Sequence, residues 1–398
     1  MVATKQNLFP KAAIILLVLL VGLLGYRFLP VFYGPVMAIG VSKDGQWVVT
    51  THRSNELVLW NLSELNHQKV SGEANIYSAF FVGGQPNYLW QDLNNNVYRQ
   101  NVSGNILEQF EHFPVYGHAY DHQNGRYWSV DEHWNLFLGH GESLSPVLRD
   151  SNSPSFVGTG KLLNISLSDS GLLLTAGRGL RSSDERLIDE STPPVRDSDE
   201  LRFSSNFGGV VLWNTETLQP AAKLSGNSSK THATISPDGQ WVISGDENGI
   251  GLYWNTEEPE KRYRLASYHS GIYIDETPYE LGDPRNRDTS ELIDAPSGTS
   301  NTTIAQAFIH NSQYYLRFGN NSHIAALFET GSPWPVKYFD LGESPELVTY
   351  GSQYARNTAI ATAPKAGVLV IGHRSGGGIS VYRFDAEALT LEREWVVE

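Results

Sequence analysis

The sequence predicts an all-β protein in which similar strand-rich units are arranged around a ring. Residues 41–49 return almost unchanged at 235–243, and in both copies an Asp-Gly turn separates two apolar runs. Trp60 and Trp254 follow these turns at the same offset. Asp-Gly between apolar runs is a strong hairpin signal, because glycine tolerates the positive φ that such turns often need. A hairpin unit that recurs along a chain is typical of a radial all-β array.

Seven strand–turn–strand units can be placed along the chain, each with an apolar run that carries an aromatic residue near its end. Several of the spacings between these aromatics are close to the ~40 residues of a four-stranded blade. The two longest spacings contain stretches rich in charge, proline and serine, at about 178–206 and 269–300, which we interpret as insertions. We therefore predict a seven-bladed β-propeller over residues 36–398, with eight blades as the alternative. The marker aromatics are Trp60, Tyr98, Phe137, Trp213, Trp254, Phe328 and Tyr382.

The composition fits a folded β protein and excludes several kinds of chemistry. Of the 398 residues, 40% are hydrophobic and 11% aromatic, which favours strands and argues against disorder. There is no cysteine, so disulfides, cysteine-ligated zinc and a thiol nucleophile are excluded. The formal net charge is −14, and so acidic a protein would be repelled by phosphates. This charge argues against nucleic-acid binding.

Near the N-terminus, residues 12–29 are apolar enough to span a bilayer, which takes ~18–20 residues. Lys5 and Lys11 precede this run, so the positive-inside rule predicts a cytoplasmic tail (1–11) and a large domain across the membrane. Residues 30–35 would be the linker. A cleaved signal peptide is the alternative, but the segment lacks an A-x-A-like site. A reversed topology would place the large domain in the cytoplasm.

The absence of cysteine also bears on the compartment. An exported protein without cysteine fits a bacterial envelope better than a disulfide-rich eukaryotic surface. We therefore predict a single-pass protein of the bacterial inner membrane, with its N-terminus in the cytoplasm and its propeller in the periplasm.

The hairpin turns and the tryptophans together resemble the WD40 repeat family, or its degenerate bacterial WD40-like relatives. The resemblance is carried by the turns SKDG at 42–45 and SPDG at 236–239, and by Trp-Asn pairs at 60–61, 213–214 and 254–255. Asparagine stands where the family commonly has aspartate, and the Gly-His pairs do not fall at consistent family positions. The family's buried His–Asp network is therefore not carried over. The resemblance implies a propeller that acts as an interaction platform.

Both predicted insertions belong to the same face of the propeller. With strands a to d counted outward from the axis, the a–b and c–d turns of a blade share one face, and the b–c and d–a connections share the other. The first insertion falls between strands b and c of blade four, and the second between strand d of blade five and strand a of blade six. The chain also enters blade one from this face, so we expect the face to look toward the membrane.

The insertions carry the candidate partner-binding residues. Long connections in a compact domain are usually functional or disordered. Because acidic loops would be repelled by anionic headgroups, we predict a protein partner that is itself a membrane protein, rather than lipid. The alternative is a pair of solvated loops without a binding role. The candidate residues are Arg178, Arg181, Arg186, Arg196, Arg202, Tyr273, Tyr279, Arg285 and Arg287.

The sequence contains no convincing catalytic, cofactor or metal motif. His118, Asp121 and His122, followed by residues 131–133, are the densest set of possible metal ligands, but they lack the helical context of a zinc-protease motif. The glycine cluster at 375–378 precedes no helix and is interpreted as a b–c turn rather than a phosphate loop. We predict a non-enzymatic scaffold without cofactor or metal. The alternative is a propeller enzyme or binding protein for a saccharide or other small ligand in the central funnel.

Overall fold

A computed structural model describes most of residues 33–397. Residues 1–32, 147–161, 178–208, 266–295 and 343–358 lie outside the described residues, together with Glu398 and several shorter stretches. The described residues form seven four-stranded antiparallel sheets, numbered one to seven in chain order. Within each sheet the strands are paired in chain order. The expectation of an all-β propeller is confirmed.

The strands have the following bounds. Sheets one and two contain β1 (Val36–Val41), β2 (Trp47–His52), β3 (Leu57–Asn61), β4 (Asn66–Ser71), β5 (Ala74–Val82), β6 (Asn87–Asp92), β7 (Val97–Asn101) and β8 (Ile106–Phe110). Sheets three and four contain β9 (Gly117–Asp121), β10 (Arg126–Val130), β11 (Leu136–His140), β12 (Ser143–Pro146), β13 (Leu162–Leu167), β14 (Leu172–Gly177), β15 (Gly209–Asn214) and β16 (Gln219–Leu224). Sheets five to seven contain β17 (Thr231–Ile235), β18 (Trp241–Asp246), β19 (Gly251–Asn255), β20 (Tyr263–Arg264), β21 (Thr303–His310), β22 (Tyr314–Gly319), β23 (Ile324–Glu329), β24 (Pro335–Asp340), β25 (Ile360–Ala363), β26 (Val368–Gly372), β27 (Ile379–Asp385) and β28 (Thr390–Val397).

The sheets form a closed ring around their first strands. The first strand of each sheet contacts the first strand of the next, and β25 contacts β1. The third strands, such as β3 and β19, begin with four consecutive buried residues, because neighbouring sheets cover both of their faces. A strand covered on both faces has a continuous apolar run instead of an alternating pattern. This burial explains why apolar runs ending in an aromatic mark the third strands in the sequence.

The two near-identical hairpins fold in the same way. In each copy the serine hydroxyl accepts a hydrogen bond from the tryptophan N–H at 2.9 Å, and the aspartate carboxylate accepts one from the glutamine N–H at 3.0 Å. The glycines have φ of +68° and +79°, a conformation that disfavours other residues. The predicted turn chemistry is therefore present. The residues are Ser42, Asp44, Gly45, Gln46 and Trp47 in one copy, and Ser236, Asp238, Gly239, Gln240 and Trp241 in the other.

Among the described residues, the ring closes between sheet one and sheet seven without an exchanged strand. Sheet one consists of β1–β4 only, and sheet seven of β25–β28 only. At every other junction the chain itself runs from one sheet into the next. We call the junction of sheets one and seven the seam. The two sides of the seam are held together by non-covalent contacts alone.

The seam contains a buried apolar cluster and close backbone contacts. A buried cluster combines Val48, Val58 and Trp60 of sheet one with Val368 and Val381 of sheet seven, among others. The Trp60 and Trp395 rings meet edge to face, with centroids 6.1 Å apart. A Cβ placed on Gly45 would lie 2.8 Å from side-chain atoms of Ala366 and Val368 across the seam. Apolar burial and close backbone approach therefore replace a shared strand here.

The predicted membrane anchor, residues 12–29, lies outside the described residues. In the part of the chain that the structure describes, no helix has the length and apolar character needed to cross a membrane.

Candidate functional site

The two faces of the propeller differ sharply in the length of their connections. The a–b and c–d turns share one face, which we call the plain face, and the longest of them covers residues 256–262. The b–c and d–a connections share the other, which we call the loop-bearing face. It carries the four long connections of the chain: 147–161, 178–208, 265–302 and 341–359. Long connections within compact domains are usually functional, so the loop-bearing face is the candidate site.

The sequence identified only half of these connections. The connections 178–208 and 265–302 contain the two predicted insertions and join β14 to β15 and β20 to β21, as the predicted blades require. The connections 147–161 and 341–359 were not predicted as insertions. They are shorter, and 341–359 lacks a dense run of charges that would mark it in the sequence. The stretch 147–161 is rich in serine and glycine and contains a proline, so a loop signal was available there in the sequence.

The described ends of the long connections are fixed on the sheets. The N–H of Leu265 donates to the carbonyl oxygen of Gly251 at 2.9 Å. The N–H of Leu341 donates to the carbonyl oxygen of His323 at 2.8 Å. The carbonyl oxygen of Ala359 accepts from the N–H of Gly372 at 2.7 Å. Each of these connections therefore starts or ends at a defined point of the loop-bearing face.

A buried arginine supports the end of the connection 265–302. Arg317, in β22, is 1% exposed, and its Nε donates to Thr303 Oγ1 at 2.7 Å. Gly251 makes room for it, because a Cβ there would lie 3.0 Å from Nη1. A buried guanidinium is costly unless it is hydrogen-bonded, so this contact fixes the first residue of β21. A single charged residue within an otherwise apolar strand was the sequence signal for this contact, and our sequence reasoning missed it.

The chain enters the propeller on the loop-bearing face, through residues 33–36, which we call the entry segment. The Tyr33 ring packs against His52 and His67, with centroids 5.2 and 5.7 Å away. The N–H of Arg53 donates to the carbonyl oxygen of Pro35 at 2.9 Å. The N–H of Val36 donates to the carbonyl oxygen of His373, in sheet seven, at 3.0 Å. The entry segment is thus bonded to both sides of the seam.

All nine residues predicted to bind a partner lie outside the described residues. The structure fixes where their segments leave and rejoin the sheets, and gives no geometry for Arg178, Arg181, Arg186, Arg196, Arg202, Tyr273, Tyr279, Arg285 and Arg287. His118 and Asp121 belong to β9, whereas His122 and residues 131–133 are not described. Among the described residues, no three His, Asp or Glu side chains are grouped closely enough to hold a metal ion.

Comparison with known proteins gives the fold. No protein-family model matches the chain, and no curated protein matches it. A similar solved structure is the β-propeller domain of Cps50 (Swd1) from Myceliophteria thermophila, with a TM-score of 0.56 and 13% sequence identity. The match covers 87% of this chain and 96% of that one. The fold is a WD40-like β-propeller. At this identity the likeness shows the fold alone, and the fold is compatible with an interaction scaffold.

The Trp-Asn pairs of this WD40-like propeller have a structural role at the c–d turns. The Asn61 side-chain oxygen accepts hydrogen bonds from two backbone N–H groups of the turn that follows, and Asn214 does the same. In sheet seven the carboxylate of Asp385 takes this position and accepts two such bonds. Asparagine can replace aspartate here because the turn needs only a side-chain oxygen.

A buried polar relay in sheet one connects the core to the entry segment. Trp60 Nε1 donates to Thr50 Oγ1 at 2.9 Å, and Thr50 Oγ1 lies 2.8 Å from His52 Nε2. His52 Nδ1 lies 3.0 Å from the carbonyl oxygen of Gly34. Because a carbonyl only accepts, Nδ1 carries the proton, and Nε2 accepts from the Thr50 hydroxyl. In this arrangement a neutral imidazole has both ring nitrogens hydrogen-bonded.

Protonation of His52 is expected to destabilise the propeller. Burial lowers the pKa of His52 from 6.5 to about 4, the hydrogen bond to Gly34 opposes this shift, and the charge of His67 adds to it. An unfolded chain binds this proton at a higher pH than the folded chain. The free energy of unfolding should therefore fall from pH 6.5 to about 4, by about 3 kcal/mol for this group. Burial also lowers the pKa of His67, which gives the same sign.

Urea unfolding at a series of pH values checks this expectation, with His52→Gln as the control variant. The carboxylates whose pKa values are lowered, Asp92, Asp169 and Asp385, have an ordinary pKa of 3.8 and act below this window. The variant should lose much of the pH dependence between 6.5 and 4. An unchanged slope in His52→Gln would contradict the assignment to His52.

Proposed function

We propose that this WD40-like propeller is a non-enzymatic interaction scaffold that binds a protein partner through its loop-bearing face. The observation that carries the proposal is the asymmetry between the faces, because all four long connections belong to one of them. The described ends of two of them, 265–302 and 341–359, are fixed by backbone hydrogen bonds. Functional loops are commonly displayed in this way by a rigid framework.

We further propose that the propeller is held beside a membrane and that the partner is a membrane protein. The apolar run 12–29 precedes the entry segment by three residues only. The entry segment lies on the loop-bearing face and is bonded to both sides of the seam. A bilayer-spanning segment at 12–29 would therefore keep this face close to the membrane. The positive-inside rule and the absence of cysteine support our proposal that the propeller lies in the periplasm and the anchor in a bacterial inner membrane.

Removing the two insertions tests the proposed function. Residues 180–204 and 272–298 would each be replaced by a short Gly-Ser linker, and partners would be recovered from native membranes after cross-linking. Partner recovery should fall strongly, because eight of the nine candidate binding residues are removed and only Arg178 remains. The thermal unfolding midpoint should change little, because loop length affects loop-closure entropy only weakly.

A matched control changes the plain face instead. Glu216 and Glu257 are exposed there, in c–d turns of sheets four and five, and replacing both by lysine should leave partner recovery unchanged. If the partner is still recovered in full after both insertions are removed from a folded propeller, the loop-bearing insertions are not its binding surface. A C-terminal fusion reporter tests the topology separately.

A further inference from the structure

Three charged side chains meet on the plain face, far from the loop-bearing face. Lys43 Nζ lies 2.8 Å from one carboxylate oxygen of Asp169, and Lys365 Nζ lies 3.1 Å from the other. Each residue belongs to an a–b turn: Lys43 follows β1, Asp169 follows β13, and Lys365 follows β25. We call these three residues the Asp169 bridge. The a–b turns are joined to the innermost strands, so the bridge lies around the propeller axis.

The positions of the three sheets show what the bridge spans. In a ring of seven sheets, sheet four lies opposite the junction of sheets seven and one. Asp169 belongs to sheet four, and the two lysines lie on either side of the seam. The ion pairs therefore run from one side of the axial channel to the other. The bridge occupies the mouth of the channel on the plain face.

Asp169 is held in place by the neighbouring turn. Its backbone N–H donates to the carbonyl oxygen of Pro237, in sheet five, at 2.7 Å. On the opposite side, Gly45 lies so close to Ala366 that a Cβ there would be 2.8 Å away, so the turns bearing Lys43 and Lys365 pack directly against each other. The carboxylate and the two ammonium groups are thus presented by fixed turns. Their meeting does not depend on a flexible segment.

The strength of the ion pairs indicates that the bridge is not the main stabiliser of the seam. The three side chains are 40–62% exposed. Exposed ion pairs contribute about 0.2–1 kcal/mol and weaken with salt. The buried cluster of sheets one and seven contributes far more through its apolar area. The bridge therefore adds little to the stability of the seam, and its position across the mouth of the channel is the more informative property.

We propose that the Asp169 bridge closes the axial channel on the plain face, so that the channel is open only to the loop-bearing face. The bridge does not depend on the identity of any partner. A peptide or small ligand in the channel would have to enter and leave beside the long connections. Because the contacts are exposed ion pairs, high salt would open the closed mouth.

Zero-length cross-linking tests whether the bridge exists in solution. A carbodiimide joins an amine to a carboxylate only when they are in contact, so the full-length chain should give Lys43–Asp169 and Lys365–Asp169 cross-linked peptides in mass spectra. Asp169→Asn should give neither, while cross-links elsewhere persist. The absence of both peptides from the native chain would overturn the proposal.

Cysteine labelling tests whether the bridge closes the channel. The chain has no cysteine, and Thr362, near the plain-face end of the innermost strand β25, is partly exposed, so Thr362→Cys provides a single thiol close to the closed mouth. Labelling by a polyethylene glycol maleimide should become severalfold faster when Asp169→Ala is added. Adding Glu216→Ala, an exposed carboxylate away from the axis, should leave the rate unchanged. Circular dichroism verifies that each variant is folded.

The salt dependence of the labelling rate is an independent test of the same proposal. Sodium chloride should accelerate labelling of Thr362→Cys, because it screens the ion pairs, and should have little effect once Asp169→Ala is present. Equal labelling rates with and without Asp169 would overturn the closure of the channel. Faster labelling in Asp169→Ala with retained fold, together with the two cross-links, would establish it.

Discussion

Gly377→Ala is expected to lower the free energy of unfolding by about 2–5 kcal/mol. Gly377 has φ of +77°, and a Cβ at this position would overlap with the carbonyl oxygen of Gly34. The left-handed conformation alone disfavours alanine by about 1–2 kcal/mol. The overlap is with backbone, and the entry segment that contains Gly34 is bonded to His52 and His373. These bonds hold the entry segment in place, so it cannot shift easily to relieve the overlap.

Gly104→Ala is the matched control for this substitution. Gly104 also has a positive φ, +90°, but nothing lies within 4 Å of a Cβ placed there. The free energy of unfolding of this variant should therefore fall only by the cost of placing alanine in the left-handed conformation, about 1–2 kcal/mol. Urea unfolding at pH 7.5 measures both. Equal losses in the two variants would show that the approach of Gly34 to Gly377 contributes nothing to the seam.

Local features of the sequence determined the part of the fold that could be predicted. Polar and glycine-containing stretches mark turns in the sequence at residues 124–125, 311–312 and 365–367, and each stretch falls between the first two strands of a sheet. Such turns depend on backbone conformation within a few residues, so a single sequence reveals them. The apolar third strands were found for a similar reason, because burial on both faces leaves a continuous run.

Contacts between distant parts of the chain could not be predicted in this way. Lys43 and Asp169 are separated by more than one hundred residues, and nothing near either of them indicates a partner. The seam is similar, because Trp60 and Trp395 meet only when the ring closes. Arg317 looks like a surface residue until sheet five covers it. The partner-binding residues in the insertions remain predictions, since they lie outside the described residues.

Trp60→Ala is expected to lower the free energy of unfolding by about 3–5 kcal/mol. Trp60 is 1% exposed, packs in the seam cluster and donates from Nε1 to Thr50 at 2.9 Å. Alanine would leave a cavity among Val368, Val381 and Trp395, and would remove the donor from the polar relay. Trp60→Phe should lose less, because it keeps most of the apolar volume and loses only the hydrogen bond.

Trp254→Ala is the control that separates the effect of losing side-chain volume from the effect of weakening the seam. Trp254 is the repeat counterpart of Trp60, is equally buried, and lies in a cluster shared by sheets four and five, which the chain itself connects. Both variants should lose similar stability in urea unfolding. Only Trp60→Ala should accelerate limited proteolysis of the strands beside the seam. If Trp254→Ala exposes its junction to protease as readily, then a covalent connection gives no added protection, and the seam is not the weakest junction of the ring.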